Sequence, residues 1–460
     1  MKAQTVNWDM LHTSTGLTES RLAAANVLAD LRSGEKLDVA FERRAVRESA
    51  LDARDRRWTQ ELVYGMLRRR AWIDAILASR VRGGLARLEA DLTDLLRLGT
   101  YQLLYMHSVP AYAAIAQTVE LAKRRHGIGA SKLANAVLRR VDRERESLDP
   151  VRERRVGDPI ERLALEHSHP RWLVARWVAR WGAAETAQLL AANNVEAPVV
   201  LRPFGIVREQ LEATLDASNV ATDEVTLVPD SLSLGVGTAP ALGDLGAFRQ
   251  GLFFVQDPAA TLVTRYADFP AGARILDLCA APGGKALELS RDARLVIAAD
   301  FSNARLNRLR DNVQRLDARN IVLVQGDAKH PPVRNAEAVL LDAPCSGTGT
   351  FRRHPDARWR LKPDDIAQLT ALQRDFLHGA ASVVRPGGLL VYSTCTLEPE
   401  ENDVQIESFL ATHPEFKLEP PSAGAVPDTV LDAGRLRVLP QRHGVDGAFA
   451  ARLRRVGGWV

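Results

Sequence analysis

The feature that most constrains this chain is an alternation that begins near Gly251. Short apolar runs (RILDLCA, RLVIAAD, NIVLVQGD, AVLLDAP and GLLVYSTC) are separated by the helical patterns SNARLNRLRDNVQRL and DDIAQLTALQRDFLHGAASVV. Apolar runs without polar alternation suit strands buried on both faces, and strand, amphipathic helix, strand is the βαβ unit of a parallel sheet. Residues 251–460 are therefore expected to form an α/β, Rossmann-like domain. Further strands are expected from about Phe416, with DGAFAARLRR the last.

The remainder reads differently. From Glu19 to about Arg145, apolar residues recur at three-and-four spacing in RLAAANVLADL, RRWTQELVYGML and DLTDLLRLGTYQLLYM, which predicts an all-α bundle over residues 1–150. Its polar faces are expected to carry the clusters Arg68, Arg69, Arg70 and Lys123, Arg124, Arg125. The charged, proline-containing ESLDPVRERRVGDP reads as a linker. Residues 151–250 mix helical RWLVARWVARW with short alternating runs such as VVLRPF, and predict a small α/β connecting module. Its Trp172, Trp177 and Trp181 are read as core packing rather than as base-stacking platforms.

Length supports more than one domain, because 460 residues exceed what one hydrophobic core usually holds. Residues 1–150 carry 25 Lys and Arg against 19 Asp and Glu, whereas the remaining 310 carry 36 against 38. A basic first part fits binding to a polyanion, and equally a solvated arginine-rich surface. No stretch approaches the roughly 18 apolar residues of a membrane helix, and MKAQTVNWDMLHTSTG lacks the apolar core of a secretory signal. A cytoplasmic protein without membrane contact is expected. Three cysteines argue against a disulfide framework, and no metal site is expected.

In the α/β part, RILDLC runs into AAPGGK and then a helix, placing Gly283 and Gly284 where backbone can approach a ligand. The second and third strands end in Asp300 and Asp327, at the carboxyl edge where open α/β sheets bind ligands. A carboxylate there can accept both hydroxyls of a ribose. The loop lacks the G-x-G-x-x-G spacing, and a cofactor without a pyrophosphate has less need of it, which tilts the choice from a dinucleotide towards S-adenosylmethionine.

The fourth strand delivers Asp342, Ala343, Pro344 and Cys345, and then a flexible SGTGT; the fifth delivers Ser393, Thr394, Cys395 and Thr396. Two of three cysteines thus end strands above a glycine loop. One chemistry that needs such thiols is methylation of carbon 5 of cytosine. That carbon is too poor a nucleophile to attack a sulfonium methyl group until a thiolate adds at carbon 6 and breaks the ring's conjugation. An unperturbed thiol of pKa about 8.5 is already a few per cent thiolate near neutrality. The addition needs a proton or hydrogen bond at ring nitrogen 3, for which Asp342 is the candidate, and the later release of the cysteine needs a base, for which the second thiol is a reasonable helper.

The strings CAAPGGK (Cys279 to Lys285), DAPCSGTGTFRRHPD (Asp342 to Asp356) and STCT (Ser393 to Thr396), with SHPRWLVARW and FFVQDPAA upstream, resemble the bacterial 16S ribosomal RNA cytosine-5 methyltransferases of the Sun or Fmu type over nearly the whole chain. The helical first domain looks like the RNA-binding fold of the antitermination factor NusB. The resemblance implies that Cys279, Ala280, Ala281, Pro282, Gly283, Gly284 and Lys285, with Asp300, Asp327 and Asp342, bind S-adenosylmethionine. It implies that Cys395 is the nucleophile and that Cys345 assists product release. It further implies a target at cytosine 967 of 16S ribosomal RNA, met as RNA or as an early small-subunit assembly intermediate, by a monomer. One departure is Ala286, where threonine commonly comes after the lysine, and the stretch to Asp300 is slightly short. Arg352 and His354 are expected in RNA contact or gating, or in a plain surface loop; Lys285 is expected near the cofactor carboxylate or the target phosphate, or merely solvated.

Two other readings stay open. A DNA cytosine-5 methyltransferase would use Cys345 as nucleophile. A NusB-like assembly factor could carry the methyltransferase part as a vestige, against which the intact cysteines and acidic positions speak.

Overall fold

A computed structural model describes residues 17–236 and 240–457. The signal-peptide reading of the first sixteen residues falls outside them. The chain divides into two compact units, one of residues 1–187 with 354–356 and one of residues 188–353 with 357–460.

The first unit is all helical, as its periodicity predicts, with helices Glu19–Arg32, Ala53–Arg68, Arg70–Ala78, Ala90–Tyr105 and Ala111–Glu144. Ion pairs lace the bundle together: Arg97 reaches Asp74 at 2.6 Å and Asp94 at 2.7 Å, and Asp91 takes Arg32 at 2.6 Å, Arg125 at 2.9 Å and His126 at 2.8 Å. The expected basic faces are corrected in part by this packing. Arg68 is buried, Arg69 stacks over Tyr105, and Arg124 and Arg125 pair with Glu120 and Asp91, whereas Lys123 stays exposed. Trp177 is buried in the core as expected; Trp172 and Trp181 are half-buried, the latter under the Arg180 guanidinium.

The second unit contains two sheets. The smaller is antiparallel, in the order β2-β3-β1-β4, from β1 (Val199–Pro203), β2 (Thr222–Glu224), β3 (Leu232–Leu234) and β4 (Phe253–Val255). The larger uses β5 (Arg274–Leu278), β6 (Leu295–Asp300), β7 (Ile321–Gln325), β8 (Ala336–Asp342), β9 (Val384–Thr394), β10 (Phe416–Leu418), β11 (Leu431–Asp432), β12 (Arg435–Val438) and β13 (Ala448–Arg455). Its order is β11-β12-β13-β9-β8-β5-β6-β7, with β10 beside β13. Strands β5 to β9 are parallel, and β13, β12 and β10 add antiparallel pairs at one side.

Parallel strands demand crossover helices, and the sequence caps one of them clearly, Ser302 accepting from Arg305 N ahead of Asn303–Arg315 between β6 and β7; Asp257 likewise accepts from Ala259 N ahead of Pro258–Ala267, the helix that leads into β5. The chain runs from β5 outward to β6 and β7, then returns to β8 and β9 on the other side of β5. The direction of winding therefore reverses between β5 and β8, which opens a crevice at their carboxyl ends.

A buried guanidinium joins the small sheet to the large one. Arg202 on β1 is 1% exposed, pairs with Glu288 of helix Gly284–Leu289, and lies 2.8 Å from Asp230 and 2.9 Å from Ser231 Oγ. Among the described residues no helix is long and apolar enough to cross a membrane. Removing one partner of a buried pair is costly, so Arg202→Ala is expected to destabilise this unit, by up to about 3–5 kcal/mol, with Glu288 left to Arg291 and Asp230 left to Arg265. Denaturant unfolding monitored by tryptophan fluorescence checks it; a loss near zero would mean that Arg291 and Arg265 suffice.

Candidate active site

Strand register brings the site together. Leu278 on β5 pairs with Ala299 on β6 and with Leu341 on β8, and Asp342 on β8 pairs with Ser393 on β9. Four strands consequently end level, and the residues just past their ends stand on the same edge.

The β5 turn holds Cys279 at φ +61° and Gly283 at φ +110°. A Cβ at Gly283 would come 2.0 Å from Leu309 Cδ1, so this turn requires glycine both for its conformation and for its space. Asp300 fixes the turn from β6: its Oδ2 accepts from Ala281 N at 3.2 Å and meets Arg305 at 3.2 Å, while its Oδ1 accepts from Ser302 N at 2.9 Å. Lys285 Nζ donates to Asp342 Oδ2 at 2.8 Å, and Ser393 Oγ donates to Asp342 Oδ1 at 2.8 Å. Burial alone would lower the Lys285 pKa, but Asp342, with Cys395 and Asp277 beyond it, outweighs burial and holds it above the usual range.

Asp327 lies two residues past β7, where its carboxylate accepts from Lys329 N at 2.9 Å.

Sequence reasoning assigned no role to Asp277. This residue on β5 is fully buried, and neither carboxyl oxygen has a hydrogen-bond partner among the described residues. Burial, with the Asp342 charge behind it, pushes its pKa well above the carboxylate range. An acidic residue inside the apolar run RILDL was the available signal. Such a residue is costly unless something satisfies it.

The sulfurs of Cys345 and Cys395 stand 3.3 Å apart, both half-buried. Cys345 is pushed well above the usual thiol range, first by its hydrogen bond with Cys395, then by burial, then by the charges of Cys395 and Glu401. The loop after Cys345 is not flexible, contrary to expectation. Gly349 N donates to Cys395 O at 3.0 Å, and a Cβ on Gly349 would lie 2.7 Å from that oxygen. Arg353 binds Asp257 at 2.7 Å and Asp446 at 3.1 Å. Arg352 is also corrected: its guanidinium is buried and donates to Gly444 O, which removes it from RNA contact or gating, while His354 stays exposed. Among the described residues no group of three His, Cys, Asp or Glu could hold a metal.

Comparison with known proteins places this geometry. The model of the 16S rRNA methyltransferase RsmB/F family matches residues 268–454, that of the NusB family residues 18–143, and that of an RsmF/B-like ferredoxin-like domain residues 169–239. A probable ribosomal RNA small subunit methyltransferase B from Synechocystis is 37% identical over 95% of this chain and 100% of its own length. This chain belongs to that methyltransferase B family. The Vibrio cholerae ribosomal RNA small subunit methyltransferase B is 36% identical over 87% of this chain and 89% of its own. The crystal structure of PH0851 covers 96% of this chain and 100% of its own at 26% identity and a TM-score of 0.77. The structure of a methyltransferase homologue from Pyrococcus horikoshii covers 65% of this chain and 100% of its own at 26% identity and a TM-score of 0.55.

The family's cofactor is S-adenosylmethionine, and the residues present fit it. The Asp277 carboxyl is a buried acceptor without a hydrogen-bond donor among the described residues, suited to the cofactor's ammonium group. Asp300 at the end of β6 suits the ribose. The methyltransferase is therefore expected to lose S-adenosylhomocysteine affinity by roughly 10- to 100-fold in Asp300→Ala, the worth of charge-assisted hydrogen bonds. Isothermal titration checks it; an unchanged affinity would remove Asp300 from the site.

Proposed function

We propose that this protein methylates carbon 5 of a cytosine in 16S ribosomal RNA, the one numbered 967, through a covalent bond from Cys395 to carbon 6. The observation that carries this reading is the pair of sulfurs in contact, 3.3 Å apart, at the carboxyl edge beside the glycine turn. S-adenosylmethionine, when bound, supplies an electrophilic methyl group. Everything else is work for the chain's own side chains.

Opposite charges flank the two thiols. Cys395 lies within electrostatic reach of the Lys285 ammonium, and Cys345 lies within reach of the Glu401 carboxyl. A neighbouring anion opposes a thiolate, and the raised pKa of Cys345 keeps the proton there, which supports Cys395 as the nucleophile. The Cys395 sulfur adds at carbon 6, and the electron pair displaced from the ring is accommodated by a proton or hydrogen bond at nitrogen 3. Asp342, bridged to Lys285, is the group assigned there. After carbon 5 is methylated, loss of its proton re-forms the double bond and expels Cys395, with Cys345 assisting. The base must leave its stack for this, because carbon 6 is attacked from the ring face.

Three parts serve this reaction: residues 1–150 for RNA phosphates, 151–250 as a connecting module, and 251–460 for catalysis. The protein acts as a cytoplasmic monomer on 16S ribosomal RNA or an early small-subunit intermediate.

Separate substitutions test the assignment on protein-free 16S RNA and on assembly intermediates. Cys345→Ala should accumulate a protein–RNA adduct, seen as a denaturing-gel shift, and Cys395→Ala should form none and transfer no methyl group. The reverse pattern would make Cys345 the nucleophile, as a DNA cytosine-5 enzyme requires. No transfer by the unaltered protein to either substrate would favour an assembly factor without catalysis.

A further inference from the structure

Behind the sulfurs lies a polar cluster that the reaction above uses only through the charge of Glu401. Glu401 is fully buried, and its carboxyl accepts four hydrogen bonds from three segments. Oε1 takes Ser346 N at 2.9 Å and Gln373 Nε2 at 2.9 Å, and Oε2 takes Thr396 Oγ1 at 2.9 Å and Ser346 Oγ. Ser346 is the residue directly after Cys345, and Thr396 the residue directly after Cys395. Ser346 Oγ and Thr396 Oγ1 are themselves 2.7 Å apart, and Gln373 also donates to Pro344 O at 2.9 Å, on the residue before Cys345. Glu401 is held in turn, since its own carbonyl accepts from Tyr392 OH at 2.8 Å.

A single carboxyl group thus grips the residue after each cysteine. A buried carboxylate costs too much to keep unless its lone pairs are satisfied, and here four donors satisfy them. Backbone bonds tie the two loops on either side, Ala343 N to Ser393 O at 2.9 Å and Gly349 N to Cys395 O at 3.0 Å, and between those ties Glu401 holds Ser346 beside Thr396.

We propose that Glu401 is the positioning residue of this site, a clamp that holds the Cys345 loop against the Cys395 loop so that both sulfurs face one pyrimidine. The role of the sulfurs rests on the function proposed above; the clamp itself does not. Loosening it should leave Cys395 able to add to the base while Cys345 drifts out of reach of the adduct.

The test uses the full-length protein with protein-free 16S RNA as substrate and diamide as a geometric probe. Diamide takes one hydrogen from each of two adjacent thiols, is reduced to the hydrazine, and leaves them joined as a disulfide that mass spectrometry finds. The unaltered protein should couple Cys345 to Cys395 readily. Glu401→Gln puts an amide NH2 where only donors point, and should slow coupling at least about tenfold. It should also lower kcat about a hundredfold with KM within about twofold, the usual cost of misplacing a reacting group by an ångström, and should accumulate the RNA adduct as Cys345→Ala does. Where Glu401→Gln does not fold, Gln373→Met withdraws one donor and the tie to Pro344 and should give the same pattern more weakly.

Unchanged coupling in a folded variant, or no coupling in the unaltered protein, would overturn the clamp. So would kcat and KM changing together while coupling persists. Coupling that depends on Glu401 while no variant, Cys345→Ala included, forms an adduct would uphold the clamp and sink the covalent mechanism instead.

Discussion

Two parallel strands that end level with one another are the constraint on which the rest of this site depends. The register that sets Asp342 opposite Ser393 lets one carry its hydroxyl hydrogen bond to the other, and three residues past Asp342 and two past Ser393 it delivers the two cysteines face to face. A slip of one residue in either strand would turn a whole set of side chains to the opposite face. Both faces of AVLLDAP and GLLVYSTC are apolar, with Val339, Leu340, Leu341, Leu390, Val391 and Tyr392 all buried, so the fit of side-chain shapes against both layers, rather than polarity, holds the register. Core packing in the sheet is thereby converted into sub-ångström placement at its edge.

Electrostatics then separates two chemically identical thiols. In a site screened from water, charge interactions exceed their solution value several-fold. Lys285 and Glu401 act from opposite sides: Asp342 holds the lysine pKa above its usual range, whereas burial raises the pKa of Glu401 despite the donors of Ser346, Gln373 and Thr396. Asp342 therefore has two tasks that compete. While it is paired with Lys285 it stabilises the cation, and only by sharing a proton with that cation can it serve a ring nitrogen.

Much of this was legible in the sequence, and the reasons for what was not are specific. The βαβ alternation, the glycine turn and the strand-end cysteines are local patterns, so period and spacing reveal them. Asp300 and Asp327 follow from the same logic of strand ends, and each carboxylate also takes a backbone hydrogen bond in its own turn. Arg68 and Arg352 were read as surface cations, since nothing local marks an arginine that will be buried; their surroundings come from distant segments, as with the Arg352 bond to Gly444. Glu401 was invisible for the same reason. Its partners lie 5, 28 and 55 residues away, and a glutamate in LEPEEN looks like solvated surface. Asp277 alone carried a signal that could have been used, an acid in an otherwise apolar strand.

The loop from Cys345 to Arg353 shows what the glycines of SGTGT are for. Glycine-rich sequence suggests mobility, yet Glu401 anchors one end of this loop through Ser346, and Asp257 and Asp446 anchor the other through Arg353. Between them Gly349 is pressed against the Cys395 carbonyl and Gly447 so closely that a methyl group would not fit. Here glycine supplies proximity, not freedom. On the proposed mechanism, a thiol that helps expel its neighbour from a pyrimidine is poorly served by a loose loop, because each ångström of wandering erodes the effective concentration that makes the step fast. Whatever movement admits the base must then arise in the RNA, or in parts of the protein that do not carry the sulfurs.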